Sequence, residues 1–203
     1  MIGDEMLMPT FLRQSRVVAV IAWSVLCVNS FAADWALPDL MKLLAQQKSG
    51  KANFVEKKYI GILDKPIESS GELSFDAPDR LEKRTLKPRQ ESMILDGDKL
   101  TITMHEKRPV NLRLQDHPEV SALIESIRGT LSGDKVALER NYTVVLRGAQ
   151  AKWQLTLVPV LGEVTKVVRQ IQISGVDADI RTIHFDQADG DRFEMTVFKV
   201  VVP

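Results

Sequence analysis

Short runs of alternating apolar and polar residues limit the possible folds more than any other feature of this sequence. Leu73 and Phe75 alternate with acidic and hydroxyl residues, and the same period recurs along residues 99–104. A period of two is typical of β-strands with one buried and one solvated face. Turn-forming residues separate such runs at 76–79, 87–89, 96–98 and 107–109. Short strands joined by tight turns favour an antiparallel sheet in meander order.

Two stretches break this period and have apolar residues at helical spacing. They are residues 37–47, with Pro38 in the first turn, and residues 118–131, followed by Gly133. Residues 134–140 predict a shorter helix. The final third returns to strands, at residues 142–147, 152–158, 166–174, 179–185 and 192–201.

These elements predict a chain that is mainly β with an α cover. A twisted sheet of this length rarely stays flat, so we expect an incomplete, half-open antiparallel β-barrel of about eleven strands. Two or three helices are expected to form its lid. Its inner face is predicted to carry the apolar strand residues Phe54, Leu73, Phe75, Leu81, Met93, Leu95, Leu100, Ile102, Met104, Leu112, Trp153, Leu155, Leu157, Phe193 and Met195.

The N-terminal segment has the pattern of an export signal. Two arginines precede an apolar run of 12 residues, 17–28, which is shorter than the roughly 20 residues that span a bilayer. Small residues near Ala32 suit cleavage there. Residues 1–32 are therefore predicted to be a signal peptide, and residues 33–203 a single periplasmic domain. An uncleaved anchor and a buried helix are the alternatives.

The single cysteine, Cys27, lies inside that segment. Signals for lipid attachment normally have Gly, Ala or Ser directly before the acylated cysteine, and here the residue is Leu26. We therefore interpret Cys27 as part of the leader, which leaves an exported domain without cysteine. A domain of this length buries about 70% of its unfolded surface, so it does not need disulfides.

The charge of the chain is balanced. Its 27 basic and 27 acidic residues give a formal net charge of zero. Such a balance supplies no broad positive field for phosphates, so we expect no nucleic-acid partner. The basic residues between 80 and 89 alternate with acidic and apolar ones, which favours a solvated strand face over an anion site.

No group of residues has the spacing of a catalytic or metal site. Ser132 and Lys135 have the Ser-x-x-Lys spacing of periplasmic acylating enzymes, but the sequence lacks the partner motifs, and the segment is typical of a helix end. The acidic residues of 186–194 do not follow the calcium-loop rule. The three histidines, at 105, 117 and 184, show no ligand spacing. We therefore predict no enzyme activity, no metal and no cofactor.

Two segments carry a resemblance to a known family. Residues 71–81 read Gly-Glu-Leu-Ser-Phe-Asp-Ala-Pro-Asp-Arg-Leu, and residues 92–100 read Ser-Met-Ile-Leu-Asp-Gly-Asp-Lys-Leu. This pattern resembles the bacterial lipoprotein-carrier family (LolA/LolB): a Gly-x-Leu strand, then x-Pro and an aromatic residue or leucine, and later an apolar strand ending in Asp-Gly. Phe54, one strand earlier, also matches a family position.

The resemblance implies a barrel whose hollow shelters acyl chains crossing the periplasm. Carriers of this family receive cargo from an inner-membrane ABC transporter and deliver it to an outer-membrane receptor. Two departures occur, because Ala77 and Lys83 stand where the best-known carriers have Arg and Trp. The arginine's implied role is to hold the lid closed, so its absence favours a divergent relative, whose cargo is a lipoprotein or another lipid.

We therefore predict a monomeric periplasmic carrier of acyl chains. The alternative is a periplasmic protein-binding or scaffolding module with a filled core, since the sequence alone does not distinguish a hollow interior from a solid one. The residues predicted to line the cavity are Phe54, Leu73, Phe75, Leu81, Met93, Leu95, Leu100, Ile102, Met104, Leu112, Leu123, Ile127, Trp153, Leu155, Phe193 and Met195.

Overall fold

One antiparallel sheet connects all strands of the described chain. The computed structural model describes residues 35–160 and 162–200, so the predicted leader and Cys27 lie outside these ranges. The strands are β1 (Ser49–Tyr59), β2 (Ile67–Asp76), β3 (Arg80–Lys87), β4 (Glu91–Asp96), β5 (Lys99–Met104), β6 (Val110–Arg113), β7 (Tyr142–Ala149), β8 (Lys152–Pro159), β9 (Val168–Val176), β10 (Asp179–Gln187) and β11 (Arg192–Lys199). Over these ranges β6 and β7 are the two edges, and the sheet is not closed. The prediction of a mainly β, half-open antiparallel barrel is confirmed.

The strand order departs from a simple meander at one place. Across the sheet the order is β6-β5-β4-β3-β2-β1-β11-β10-β9-β8-β7. Two meanders, β1–β6 and β7–β11, are therefore joined by the pairing of the first strand with the last along residues 52–59. Strands β6 and β7, which are consecutive in the chain, lie at opposite edges because a helical segment rather than a tight turn connects them.

Four α-helices lie in the described ranges. They are α1 (Leu37–Leu44), α2 (Pro118–Ser132), α3 (Lys135–Asn141) and α4 (Gly162–Val167), and a 3₁₀ turn (Leu114–Asp116) precedes α2. The three predicted helices are confirmed as α1, α2 and α3. The fourth replaces the start of a predicted strand. Val164 and Val167 of α4 pack on the core, and this contact outweighs the β-propensity of its branched residues.

The helices bury the inner face of the sheet in three apolar clusters. Cluster 1 joins α1–α3 to β7–β10, and its buried members include Leu40, Leu44, Leu138, Tyr142, Trp153, Leu155, Leu157, Ile171 and Ile173. Cluster 2 surrounds Phe54 and Met195, with Ile127 of α2 against it. Cluster 3 surrounds Leu95 and Leu100 on β4 and β5.

The end of α2 is fixed by its approach to α1. Gly133 caps α2 with a φ of 67°, in the left-handed region that glycine favours. A Cβ atom added there would collide with the carbonyl oxygen of Met41 in α1. Glycine therefore allows the two helices to meet over cluster 1.

Tyr142 joins the start of β7 to α2. Its buried hydroxyl donates to the carbonyl oxygen of Ala122 at 2.6 Å. Burial, and secondly the charge of Glu125, raise the pKa of Tyr142 well above its ordinary value. Because the folded state favours the neutral phenol, the contribution of this group to stability is present below about pH 10 and falls as the pH rises above that value.

We expect Tyr142→Phe to lower the free energy of unfolding by about 1 kcal/mol at pH 7, because Ala122 loses its partner. The difference in stability between wild type and variant should shrink above about pH 10, since phenylalanine has no proton to lose. Urea unfolding of the wild type and the variant at several pH values measures the free energy of unfolding of each and hence their difference. A difference that stays constant up to the pH where both proteins unfold would contradict this assignment.

Candidate functional site

The strand register gathers the predicted inner-face residues on one face of the sheet. Cross-strand pairing places Phe75, Leu81, Leu95, Leu100 and Leu112 in one row. The next row contains Leu73, Lys83, Met93, Ile102 and Val110. Since side chains alternate along a strand, residues directly opposite each other share a face. We call the apolar inner-face residues of β2–β6 the apolar floor.

Helix α2 packs directly on the row of the floor that contains Leu95 and Leu100, which is its deepest row. Val120 and Ile124 pack against the cluster of Leu95 and Leu100, each of which is only 2% exposed. The space between α2 and this row is therefore filled by side chains. Val120 and Ile124 belong to the same helical stripe as Leu123 and Ile127, but their role as the cover of the floor depends on how α2 is placed.

The floor becomes progressively more exposed beyond α2. Met93 and Ile102 in the second row are half-buried. Val110, at the edge-strand end of the same row, is 52% exposed, and Met104, further toward the β5–β6 turn, is 45% exposed. An apolar surface thus continues from beneath the helix to exposed side chains at this end of the sheet.

The sixteen residues predicted to line a cavity divide among the three clusters and the floor. Nine belong to the floor: Leu73, Phe75, Leu81, Met93, Leu95, Leu100, Ile102, Met104 and Leu112. Phe54, Ile127, Phe193 and Met195 meet at the centre of the sheet in cluster 2. Leu123, Trp153 and Leu155 pack in cluster 1.

Cluster 1 is a filled core rather than an open surface. The Trp153 ring lies against Gly175, where any Cβ atom would collide with it, and its Nε1 donates to the carbonyl oxygen of Asp177 at 2.8 Å. Phe193 stacks on Phe185 with ring centroids 5.2 Å apart. The two halves of the sheet therefore differ: β7–β10 form a closed core, whereas the apolar floor of β2–β6 is partly exposed.

A separate cavity of about 210 Å³ lies beside the first turns of α2. Its walls are Leu114, Gln115, Pro118, Ser121, Ala122, Glu125, Asn141, Tyr142 and Val164. None of these residues belongs to the floor, but Leu114 packs with Leu95 and Leu100 in cluster 3, so the cavity borders the floor there.

Lys83 places a positive charge within the apolar inner face. It lies between Leu73 and Met93 in the second row. Its ammonium group forms an ion pair with Glu56 of β1 and lies 5.0 Å from the centroid of the Phe54 ring. The side chains of Lys83 and Glu56 are 26% and 14% exposed. The expectation of a solvated face at 80–89 holds for Arg84, which pairs with Glu82 at 3.0 Å, but not for Lys83.

We expect Lys83→Met to destabilise the fold by about 1–3 kcal/mol, because it leaves Glu56 largely buried without its cation. The double variant Lys83→Met/Glu56→Gln should recover most of this loss, since no uncompensated charge remains. Chemical denaturation of the wild type, the two single variants and the double variant measures the coupling. If the two losses simply add, the ion pair contributes nothing.

Arg128 attaches α2 to the sheet. Its Nη2 donates to the carbonyl oxygen of Gly97 in the β4–β5 turn at 2.5 Å, and its Nη1 pairs with Glu125 at 3.2 Å. Ala77, which replaces the arginine of the best-known carriers, is exposed in the β2–β3 turn. In this protein the contact between helix and hairpin turn is therefore made by an arginine on the helix.

The residues considered for catalysis do not come together. Ser132 Oγ donates to the carbonyl oxygen of Gly129 at 3.4 Å, whereas Lys135 pairs with Glu139 at 3.1 Å. Residues 35–160 and 162–200 contain no group of three or more His, Cys, Asp or Glu placed to hold a metal ion. Nor does any helix in these ranges have the length and apolar character needed to cross a bilayer.

Comparison with solved structures finds similar folds at low identity. A LolA superfamily protein from Nitrosomonas europaea has a TM-score of 0.44 and 10% identity, over 81% of this chain and 93% of that one. The MucA/MucB complex of Pseudomonas aeruginosa matches with a TM-score of 0.44 and 14% identity, over 82% of this chain and 58% of that one. GerS in complex with the amidase CwlD of Clostridioides difficile has a TM-score of 0.36 and 14% identity, over 75% of this chain and 84% of that one.

Sequence comparison assigns the family. No curated protein sequence matches this chain significantly. The profile described as outer membrane lipoprotein carrier protein LolA-like matches residues 27–198, which include all eleven strands except the last residue of β11. This chain therefore belongs to the LolA-like family of outer membrane lipoprotein carrier proteins.

Proposed function

We propose that this protein is a periplasmic carrier that binds the acyl chains of a lipoprotein or another lipid in a cleft between α2 and the apolar floor, with its mouth at Met104 and Val110. The observation that carries the proposal is the continuous apolar surface running from beneath α2 to the exposed side chains of Met104 and Val110. Membership of a lipoprotein-carrier family supports the same reading.

The energetics of the cleft suit an acyl chain. Each buried methylene contributes about 0.8 kcal/mol, so sheltering a chain of roughly sixteen carbons contributes on the order of 10 kcal/mol before ordering costs. Met93 and Met104 are flexible, so the floor does not demand one cargo shape. Because α2 fills the space over the deepest row, a full chain would need α2 to shift, whereas a shorter one fits the open part.

The proposal assigns different tasks to the predicted residues. Floor residues, with Ile127 and Phe54 at their border, contact the cargo. Trp153, Leu155 and Leu123 hold the closed core that positions α2. The protein acts as a monomer without catalysis or cofactor. Residues 1–32 direct export and are removed near Ala32, and the cargo passes from an inner-membrane transporter to an outer-membrane receptor.

A protein-binding module is the second candidate function. The outer face beside edge strand β7 exposes Val145 and Val158, at 40% and 41%. An edge strand with apolar neighbours offers backbone groups and side chains to a partner strand. This surface lies away from the floor, so the two functions have separate sites.

Lipid analysis of the purified protein tests the carrier proposal. We expect native mass spectrometry of the gently purified protein to show bound lipid, and the delipidated protein to bind a fluorescent fatty acid saturably. A protein that contains no lipid, does not bind the probe and retains only protein partners would support the scaffold instead.

A further inference from the structure

Three neighbouring turns at one end of the sheet share an unusual composition. They connect β1 to β2 (residues 60–66), β3 to β4 (88–90) and β5 to β6 (105–109). In an antiparallel sheet alternate turns lie at the same end, and β1–β6 are adjacent, so these three turns form one continuous surface. We call this surface, with the strand residues next to it, the basic end.

The basic end concentrates positive charge. Lys65, Lys87, Arg89, Lys107 and Arg108 are all exposed, and none forms an ion pair with a carboxylate of the described residues. The same surface also contains Asp64, Glu91 and Glu106, so its cations exceed its carboxylates by two. The turns at the opposite end of β2–β5 contain Asp76, Asp79, Asp96 and Asp98. The two ends of this half of the sheet therefore differ in charge.

Large apolar side chains are exposed among these cations. Ile62, at the tip of the β1–β2 turn, is 91% exposed. The others, each exposed by two fifths or more, are Leu63, Ile67, Leu86, Met104 and Val110. The β1–β2 turn is held in place, because the amide of Gly61 donates to Asp191 Oδ1 at 2.9 Å and the amide of Leu63 donates to the carbonyl oxygen of Ile60 at 2.9 Å. Ile62 is thus presented to solvent on an anchored turn.

We propose that the basic end docks on the surface of an anionic lipid bilayer. Basic side chains beside exposed aliphatic ones have the chemistry of interfacial membrane binding, in which cations attract anionic head groups and apolar side chains enter the acyl boundary. A contiguous apolar patch on an otherwise charged surface indicates an interaction site. A folded protein partner would need an acidic and apolar surface of matching shape, whereas a bilayer supplies both properties without such a match.

The rest of this sheet end limits how the protein can lie on the membrane. The β10–β11 turn, at the same end, contains Asp189 and Asp191. Anionic lipids repel these carboxylates, so β3–β6 should approach the bilayer most closely. The β1–β2 turn, which Asp191 holds through the amide of Gly61, then lies at the border of the contact. Met104 and Val110 belong to both the basic end and the floor, so docking would place the mouth of the cleft at the lipid surface. The docking proposal goes beyond the carrier function and does not depend on it.

Vesicle sedimentation with matched charge variants tests the proposal. One variant, Lys65→Gln/Lys87→Gln/Lys107→Gln, removes three charges from the basic end. Its control, Lys42→Gln/Lys99→Gln/Lys152→Gln, removes three exposed lysines elsewhere. All proteins are the chain as recovered from cells with the same N-terminus, so any contribution of that segment is equal. Vesicles contain phosphatidylcholine alone or with about one third phosphatidylglycerol.

We expect wild type and control to bind the anionic vesicles equally, and the basic-end variant to bind about a hundredfold more weakly, because each basic residue near an anionic surface contributes roughly fivefold. Ile62→Ser/Leu63→Ser should lose tenfold or more at unchanged charge. Binding should weaken at high salt and be much lower on phosphatidylcholine alone.

Two results with anionic vesicles overturn the proposal: equal binding of both triple variants, or no binding of the wild type. Binding of the wild type to an acidic protein but not to vesicles also overturns it. Circular dichroism checks that each variant is folded, which is expected because all the changed side chains are exposed. Binding of a fluorescent fatty acid, expected to be unchanged in the charge variants, separates the two proposals: probe binding without docking refutes only the docking.

Discussion

Replacing Ile102 by glutamate is expected to weaken binding of a fluorescent fatty acid at least tenfold. Ile102 lies in the second row of the floor between Met93 and Val110, where a bound chain would cover it. A carboxylate under an acyl chain would lose water without gaining a partner, at a cost well above the 1.4 kcal/mol that corresponds to tenfold in affinity. Titration of the delipidated proteins with the probe measures the effect.

Thr103→Glu is the matched control for this change. Thr103 is the next residue of β5, so its side chain lies on the outer face of the sheet, and it is also half-buried. The control should bind the probe within about twofold of wild type. Met104→Glu, at a more exposed position of the floor, provides a second test should Ile102→Glu fail to fold. If the inner-face and outer-face changes weaken probe binding equally, both in folded proteins, the assignment of the cleft is wrong.

Trp153→Ala is expected to produce the largest loss of stability, about 3–5 kcal/mol. The ring is 1% exposed, fills the space above Gly175 and donates to the Asp177 carbonyl. Trp153→Phe keeps most of the volume and should lose about 1 kcal/mol, chiefly the hydrogen bond. Urea unfolding followed by circular dichroism measures both variants.

This prediction also separates the two halves of the sheet. If β7–β10 serve as the closed core, Trp153→Ala should bind the fatty-acid probe within about threefold of wild type under conditions where it remains folded. A large loss of probe binding with little loss of stability would contradict this assignment and indicate that Trp153 contacts the cargo.

Much of the inner face could be predicted because it follows from neighbouring residues. The alternation around Leu73 and Phe75, and the Asp-Gly turn before Leu100, set the strands and their faces. The register places the predicted residues of β1–β6, β8 and β11 on one face, as those local patterns indicated. Lys83 is the instructive exception. The alternation along β3 places its side chain on the inner face, but its charge favoured a solvated position. Its partner Glu56 lies 27 residues away, so neighbouring residues gave no sign of the ion pair that stabilises it there.

The sequence by itself determined the period of each segment, the turns and the apolar side of each strand, because these depend on residues a few positions apart. Only the tertiary structure decided that β1 pairs with β11, that Val120 and Ile124 fill the space over the deepest row of the floor, and that Met104 and Val110 remain open. Those outcomes depend on contacts between segments far apart in the chain. The free energy gained from each such contact must exceed the entropy lost in bringing the two segments together, and neighbouring residues do not reveal that balance.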